Sequence, residues 1–119
     1  DKNRKPFVEK SSSFLKIIDE ISSNMYGATS VIQDNIIVGV ITDGDIRRVI
    51  EKKQNIENIS ASDFMNKNPK IMTENTLAIE ALKHMKENRI SQVLIIDSSN
   101  VYLGIVHILD IIKEGVNNE

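Results

Sequence analysis

The chain carries one pattern twice. Gly39-Val-Ile-Thr-Asp-Gly-Asp-Ile-Arg-Arg48 and Gly104-Ile-Val-His-Ile-Leu-Asp-Ile-Ile-Lys113 share a glycine, a polar fourth residue, then aspartate and isoleucine, from position 39 to position 104, a shift of 65. Upstream, Phe14-Leu-Lys-Ile-Ile18 aligns with Ala78-Ile-Glu-Ala-Leu82 at a shift of 64. The extra residue falls in a turn, where Asp97-Ser-Ser-Asn100 is one longer than Gln33-Asp-Asn35. Surface turns tolerate such insertions. Self-similarity at a fixed period is the sequence mark of repeated supersecondary units, and it limits the fold more than any single motif. With 119 residues in all, neither copy has enough apolar surface to bury a core alone, so the two must share one. The division is expected at 1–55 and 56–119, with a linker near 53–62.

Each copy reads β-α-β-β-α. In the first, Phe14, Ile17, Ile18, Ile21 and Met25 fall at helical spacing behind Ser11–Ser13, which supply an N-cap, and Gly27 is the expected stop. Ala28–Ile32 and Ile36–Thr42 are β-branched runs around a turn, and Asp45–Lys53 is a second helix. In the second, Leu77, Ala81, Leu82 and Met85 form the helical face, Val93–Ile96 and Tyr102–His107 the strands, and Ile108–Glu114 a helix ending at Gly115. Short strands near Phe7–Val8 and Lys70–Met72 precede the long helices. The fold class is α+β, two β-α-β-β-α repeats packed about a pseudo-two-fold axis, with clefts where the strand ends of the halves meet.

Several classes of function are excluded or disfavoured. There is no cysteine, so thiol catalysis and zinc-thiolate sites are absent, and His84 and His107 are the sole imidazoles, too few for a histidine-based metal centre. The net charge of −2 lacks the cationic face that nucleic acid requires. No apolar run approaches the roughly 20 residues of a membrane span. With no signal peptide in view, a cytoplasmic protein is expected. The first residue is Asp1, and the chain is expected to be a fragment of a longer protein.

Gly39–Arg48 admits several readings. An acid pair for catalysis lacks a nucleophile, base or orienting partner nearby. A calcium loop needs alternating ligands and a late glutamate, which are missing. Thr42-Asp-Gly-Asp45 fits a capping box at a helix start. The same geometry presents backbone N–H groups to an anion, with threonine and aspartate for a ribose or phosphate and arginine for bidentate phosphate contact. Cap and ligand grip are compatible.

The doubled unit, with Gly-x-x-Thr-x-x-Asp after its third strand, resembles a tandem pair of CBS domains, a Bateman module. The match runs from about Phe7 to Val116. Glu20-Ile-Ser-Ser23, Gly27-Ala-Thr29, Gly39–Arg48, Phe64-Met-Asn-Lys-Asn-Pro-Lys70 and Gly104-Ile-Val-His107 resemble the C-terminal CBS pair of KpsF/GutQ-type arabinose 5-phosphate isomerases. In that family a sugar-isomerase (SIS) domain precedes the pair and serves Kdo synthesis for lipopolysaccharide or capsule. The resemblance implies a regulatory module without catalytic residues, metal or required cofactor, joined to a SIS domain in the same chain and assembled as a homodimer or higher oligomer. It implies a bound adenine nucleotide, or a nucleotide-sugar such as CMP-Kdo. Thr42 and Asp45 match its ribose and phosphate positions, Gly27 and Ala28 the backbone near the base, and Ile71 and Met72 an apolar wall. Asp110 is kept in the second half, where His107 stands in place of the hydroxyl residue. Arg47 and Arg48 are added from charge, not from the motif. Two other readings stand beside this one: a purely structural oligomerisation module, and the regulatory pair of a sugar-nucleotidyltransferase.

Overall fold

A computed structural model describes residues 5–52, 55–76 and 78–117. The elements run β1 (Phe7–Glu9), α1 (Phe14–Asn24), β2 (Ala28–Gln33), β3 (Ile36–Thr42), α2 (Asp43–Glu51), α3 (Ala61–Phe64), β4 (Ile71–Thr73), α4 (Ala78–Glu87), β5 (Gln92–Ile96), β6 (Tyr102–His107) and α5 (Ile108–Asn117). A 3-10 turn at Ile56–Asn58 precedes α3. The α+β class and the doubled unit are as the repeat required. Leu77, and Lys53 in the expected linker, lie outside the described residues.

Two three-stranded sheets, ordered β1-β2-β3 and β4-β5-β6, repeat the same pairing. In each, the first strand is parallel to the second and the second antiparallel to the third. The central strand β2 is buried on both faces. Val31 joins Val8, Ile17, Ile21 and Ile41 in a core under α1. Ala28 and Ile32 face the other way and meet Leu94, Tyr102 and Ile105 of the second half. That cluster is the shared core that two small units need. A third cluster of Ala81, Met85, Val93 and Ile111 lies under the second half's helices.

Strand alternation alone would put Ile37 and Val40 on opposite faces, yet both pack toward the shared core. The ladder shifts between Val31 and Ile32, whose partners are Gly39 and Ile37, leaving Val38 as the extra residue of a bulge. The second sheet repeats the shift, with Leu103 extra between Gly104 and Tyr102. The hairpin loops differ as their lengths demand. Asp34 and Asn35 both have positive φ, 54° and 67°, the two-residue turn that matches strand twist. In the longer loop the Asp97 carboxylate accepts hydrogen bonds from the Ser99 and Val101 N–H groups, at 2.8 and 3.0 Å.

Several boundaries depart from the sequence reading, three of them at helix ends with a clear physical reason. Helix α1 stops at Met25, not Gly27: Met25 takes the left-handed C-cap with φ 67° and is 95% exposed, so it is no part of the apolar face. Helix α2 opens at Asp43, because the Thr42 cap closes directly on the following turn. Helix α5 continues through Gly115 to Asn117, an interior glycine costing about 1 kcal/mol relative to alanine without forcing an end.

Candidate functional site

Both candidate clefts are built where a third strand runs into a helix. Thr42 ends β3 and caps α2. Its hydroxyl accepts a hydrogen bond from the Asp45 N–H at 3.3 Å, and the Asp45 carboxylate Oδ2 accepts from the Thr42 N–H at 2.9 Å and the Thr42 hydroxyl at 3.1 Å. Asp45 Oδ1 receives Arg48 Nη2 at 2.5 Å, so both carboxylate oxygens are engaged. Gly27 lies alongside: its carbonyl accepts from the Asp43 N–H at 2.9 Å. Its φ of 71° favours glycine, and a Cβ there would stand 3.0 Å from Asp43 Oδ2.

The second half repeats the backbone and changes the side chains. The Ser91 carbonyl accepts from the Ile108 N–H at 2.7 Å, the counterpart of the Gly27 contact. His107 replaces the threonine, and its Nδ1 accepts from the Leu109 N–H at 3.0 Å, while its own N–H donates to Asp110 Oδ2 at 3.3 Å. With Nδ1 an acceptor, the neutral ring carries its proton on Nε2.

A cleft of about 290 Å³ opens beside Thr42, lined by Ala28 and Thr42 from the first half and Lys70, Arg89 and Gln92 from the second. Ala28 and Thr42 are cross-strand partners at the open end of the first sheet. A second hollow of about 370 Å³ is lined by Asn24, Met25 and Tyr26 from the first half and His107 and Asp110 from the second. The Gln92 side-chain N–H donates to the Tyr26 carbonyl at 2.6 Å, tying the halves together. A larger hollow of about 510 Å³ runs along β1 and the Asp34-Asn35 turn, and none of the expected site residues lines it.

The expected site residues thus divide. Ala28 and Thr42 line the first cleft, with Gly27 and Asp45 next to it in the backbone and cap. His107 and Asp110 line the second. Arg47 and Arg48 are exposed on α2, Arg48 turned back to Asp45. Ile71, 37% exposed, is not among the residues lining either cleft. Met72 lines a separate hollow of about 270 Å³ with Ala81, Val93 and Ile111. Among the described residues no group of three or more His, Asp or Glu is placed to hold a metal ion, and no helix is long and apolar enough to cross a membrane.

The CBS domain family model matches residues 3–52 and 61–117. The chain belongs to the CBS domain family. It is 36% identical over 111 residues to the arabinose 5-phosphate isomerase KdsD of Francisella tularensis subsp. tularensis, covering 93% of this chain and 34% of that protein. It is 34% identical over 106 residues to the arabinose 5-phosphate isomerase KpsF of Escherichia coli, covering 88% of this chain and 32% of that protein. The chain therefore spans about a third of the length of these curated relatives. Among solved structures, a CBS domain protein of Pyrobaculum aerophilum complexed with AMP superposes with a TM-score of 0.82 at 16% identity, over 96% of this chain and 92% of that one. The CBS-pair protein CBSX2 of Arabidopsis thaliana gives 0.80 at 17% identity, over 98% and 92%. At these identities the superpositions establish the fold of the CBS pair.

Among the residues at the first cleft of this CBS pair that escaped the sequence reading, four matter most: Lys70, Arg89, Ser91 and Gln92. A signal for three of them was present. Moving Gly27-Ala28 forward by the repeat shift of 64 lands on Ser91-Gln92, and the same shift carries Met25 to Arg89. What the repeat did not reveal is that the equivalent segments cross over, each helix end facing the strand end of the other half.

Proposed function

We propose that this CBS pair is the ligand-sensing region of an arabinose 5-phosphate isomerase, and that it takes an adenine nucleotide or a nucleotide-sugar such as CMP-Kdo in the cleft at Thr42. The observation that carries this reading is the cleft itself, formed from both halves, with a hydroxyl at a helix N-terminus and two cations on the opposite wall. Its volume of about 290 Å³ is near the lower end of small-molecule pockets, roughly 300–1,000 Å³. The kinship to isomerases and the AMP held by a CBS protein of the same fold support it. The catalytic SIS domain would lie in the other two thirds of such a protein.

Asp45 is the ribose acceptor in this reading, and Arg48 must then give up Oδ1 to the ligand. A ligand contacting both halves stabilises one relative orientation of them and biases an attached domain, a coupling of about 1–3 kcal/mol in typical cases. Assembly as a homo-oligomer is part of the proposal. It is supported by Leu15, Ile50, Ile79, Leu109 and Ile112, helix residues left between 40% and 75% exposed, and is read by light scattering.

The test is isothermal titration of the protein with AMP, ATP and CMP-Kdo, repeated on Asp45→Ala. Micromolar binding that the substitution weakens at least tenfold is the expected result. A folded protein that responds to none of the three returns the Thr42 turn to a helix cap in an assembly module.

A further inference from the structure

The two clefts of this CBS pair share a backbone frame and differ in charge. Met25 and Arg89 occupy equivalent left-handed positions, φ 67° and 56°, at the ends of the two long helices. At the first cleft that position supplies a guanidinium, joined by the Lys70 ammonium, and among the described residues no carboxylate lines the space. At the second it supplies a thioether, and among the described residues the lining holds the Asp110 carboxylate with no lysine or arginine. Of the acids near the first cleft, Asp45 is paired with Arg48 and closed into the cap. Asp43, at the start of α2, has its carboxylate beside Gly27 and is absent from the cleft wall.

We infer that the pair binds one anionic ligand per chain, in the Thr42 cleft alone, and that Lys70 and Arg89 select it. The inference rests on reading that cleft as a ligand site, and it names the feature recognised: a phosphoryl, pyrophosphoryl or carboxylate group set against the second half's wall while the neutral part of the ligand reaches Thr42 and Ala28. Guanidinium and ammonium groups complement such anions, the guanidinium in a planar two-point contact. An anion in the His107 hollow would instead face a carboxylate at close range and meet no fixed positive charge among the described residues. The pseudo-symmetry of the fold is thus broken by side chains, and occupancy is expected to be half of what two equivalent clefts would give.

The test uses inorganic pyrophosphate as an anionic probe, followed by backbone amide NMR on the whole chain. Saturable shifts are expected at Thr42, Asn66, Ser91 and Gln92, with Asn24, Tyr26 and His107 unmoved. Arg89→Met, which installs the residue of the other cleft in the same backbone conformation, and Lys70→Met should each weaken binding by about three- to tenfold at low salt. His107→Ala should leave it unchanged. Shifts in both clefts, in neither, or loss on His107→Ala with none on Arg89→Met would overturn the inference. Pyrophosphate binding as described, with no response to AMP, ATP or CMP-Kdo, would uphold the anion site and refute the nucleotide reading instead.

Discussion

At the scale of single residues, Thr42 and Tyr102 carry the sharpest consequences. Thr42→Ala removes the hydroxyl that accepts from the Asp45 N–H. Loss of a side-chain cap costs about 0.5–2 kcal/mol, to be read as a lower denaturation midpoint, with Thr42→Ser restoring most of it. Tyr102 is 1% exposed, and its phenol donates to the Pro6 carbonyl at 2.7 Å. Burial, with smaller contributions from Glu20 and Tyr26 against a hydrogen bond from Ser30, pushes its pKa up from 10.0 to about 12. The unfolded chain therefore releases this proton first. Stability held below pH 10 is lost as pH rises toward 12, by an amount on the order of 2–3 kcal/mol. In Tyr102→Phe that alkaline limb should flatten, measured as the unfolding free energy between pH 9 and 12. A slope the same in both proteins would show that other groups govern the alkaline limb.

At the scale of elements, α1 and β3 show how local rules and neighbours divide the work. The sequence identified the capping box of α2, a serine cap for α1 within Ser11–Ser13, which the structure assigns to Ser13, and the turn residues Asp34-Asn35, because each depends on side chains a few positions apart. It misjudged the end of α1, because Gly27 offered the ordinary left-handed stop while Met25 takes that conformation two residues earlier. Met25→Gly should raise stability by a few tenths to about 1 kcal/mol, since the methionine is exposed and loses no packing. Gly39 is the reverse case. An added Cβ would lie 2.6 Å from Met65 Sδ and 3.0 Å from the Asn66 carbonyl, where the segment after α3 bridges to β3 through Val40 and Asn66. Gly39→Ala should cost about 1–3 kcal/mol by overpacking, seen as a reduced melting temperature. Nothing in the sequence near Gly39 announces the contact, because Met65 arrives from 26 positions away.

At the scale of the whole molecule, the cluster of Ala28, Ile32, Leu94, Tyr102 and Ile105 makes the halves interdependent. Leu94 is 2% exposed, and Leu94→Ala should cost about 2–5 kcal/mol. The loss should fall on both halves together: one unfolding transition, with hydrogen-exchange protection reduced in β2 as much as in β5. Two separate transitions would mean that the repeats are independent domains.

The sequence by itself determined the doubled β-α-β-β-α unit, the helix caps at Thr42 and within Ser11–Ser13, and the kinship to CBS pairs, because periodicity and capping act over a few residues and a repeat is visible as text. It also marked Thr42 and His107 as equivalent and unequal. Tertiary structure alone decided that the bulges at Val38 and Leu103 turn Ile37 and Tyr102 toward the shared core. It also set Thr42 opposite Arg89 and Lys70, and His107 opposite Met25. Those pairings come from burying two incomplete apolar faces against each other, a long-range packing whose partners no local spacing encodes.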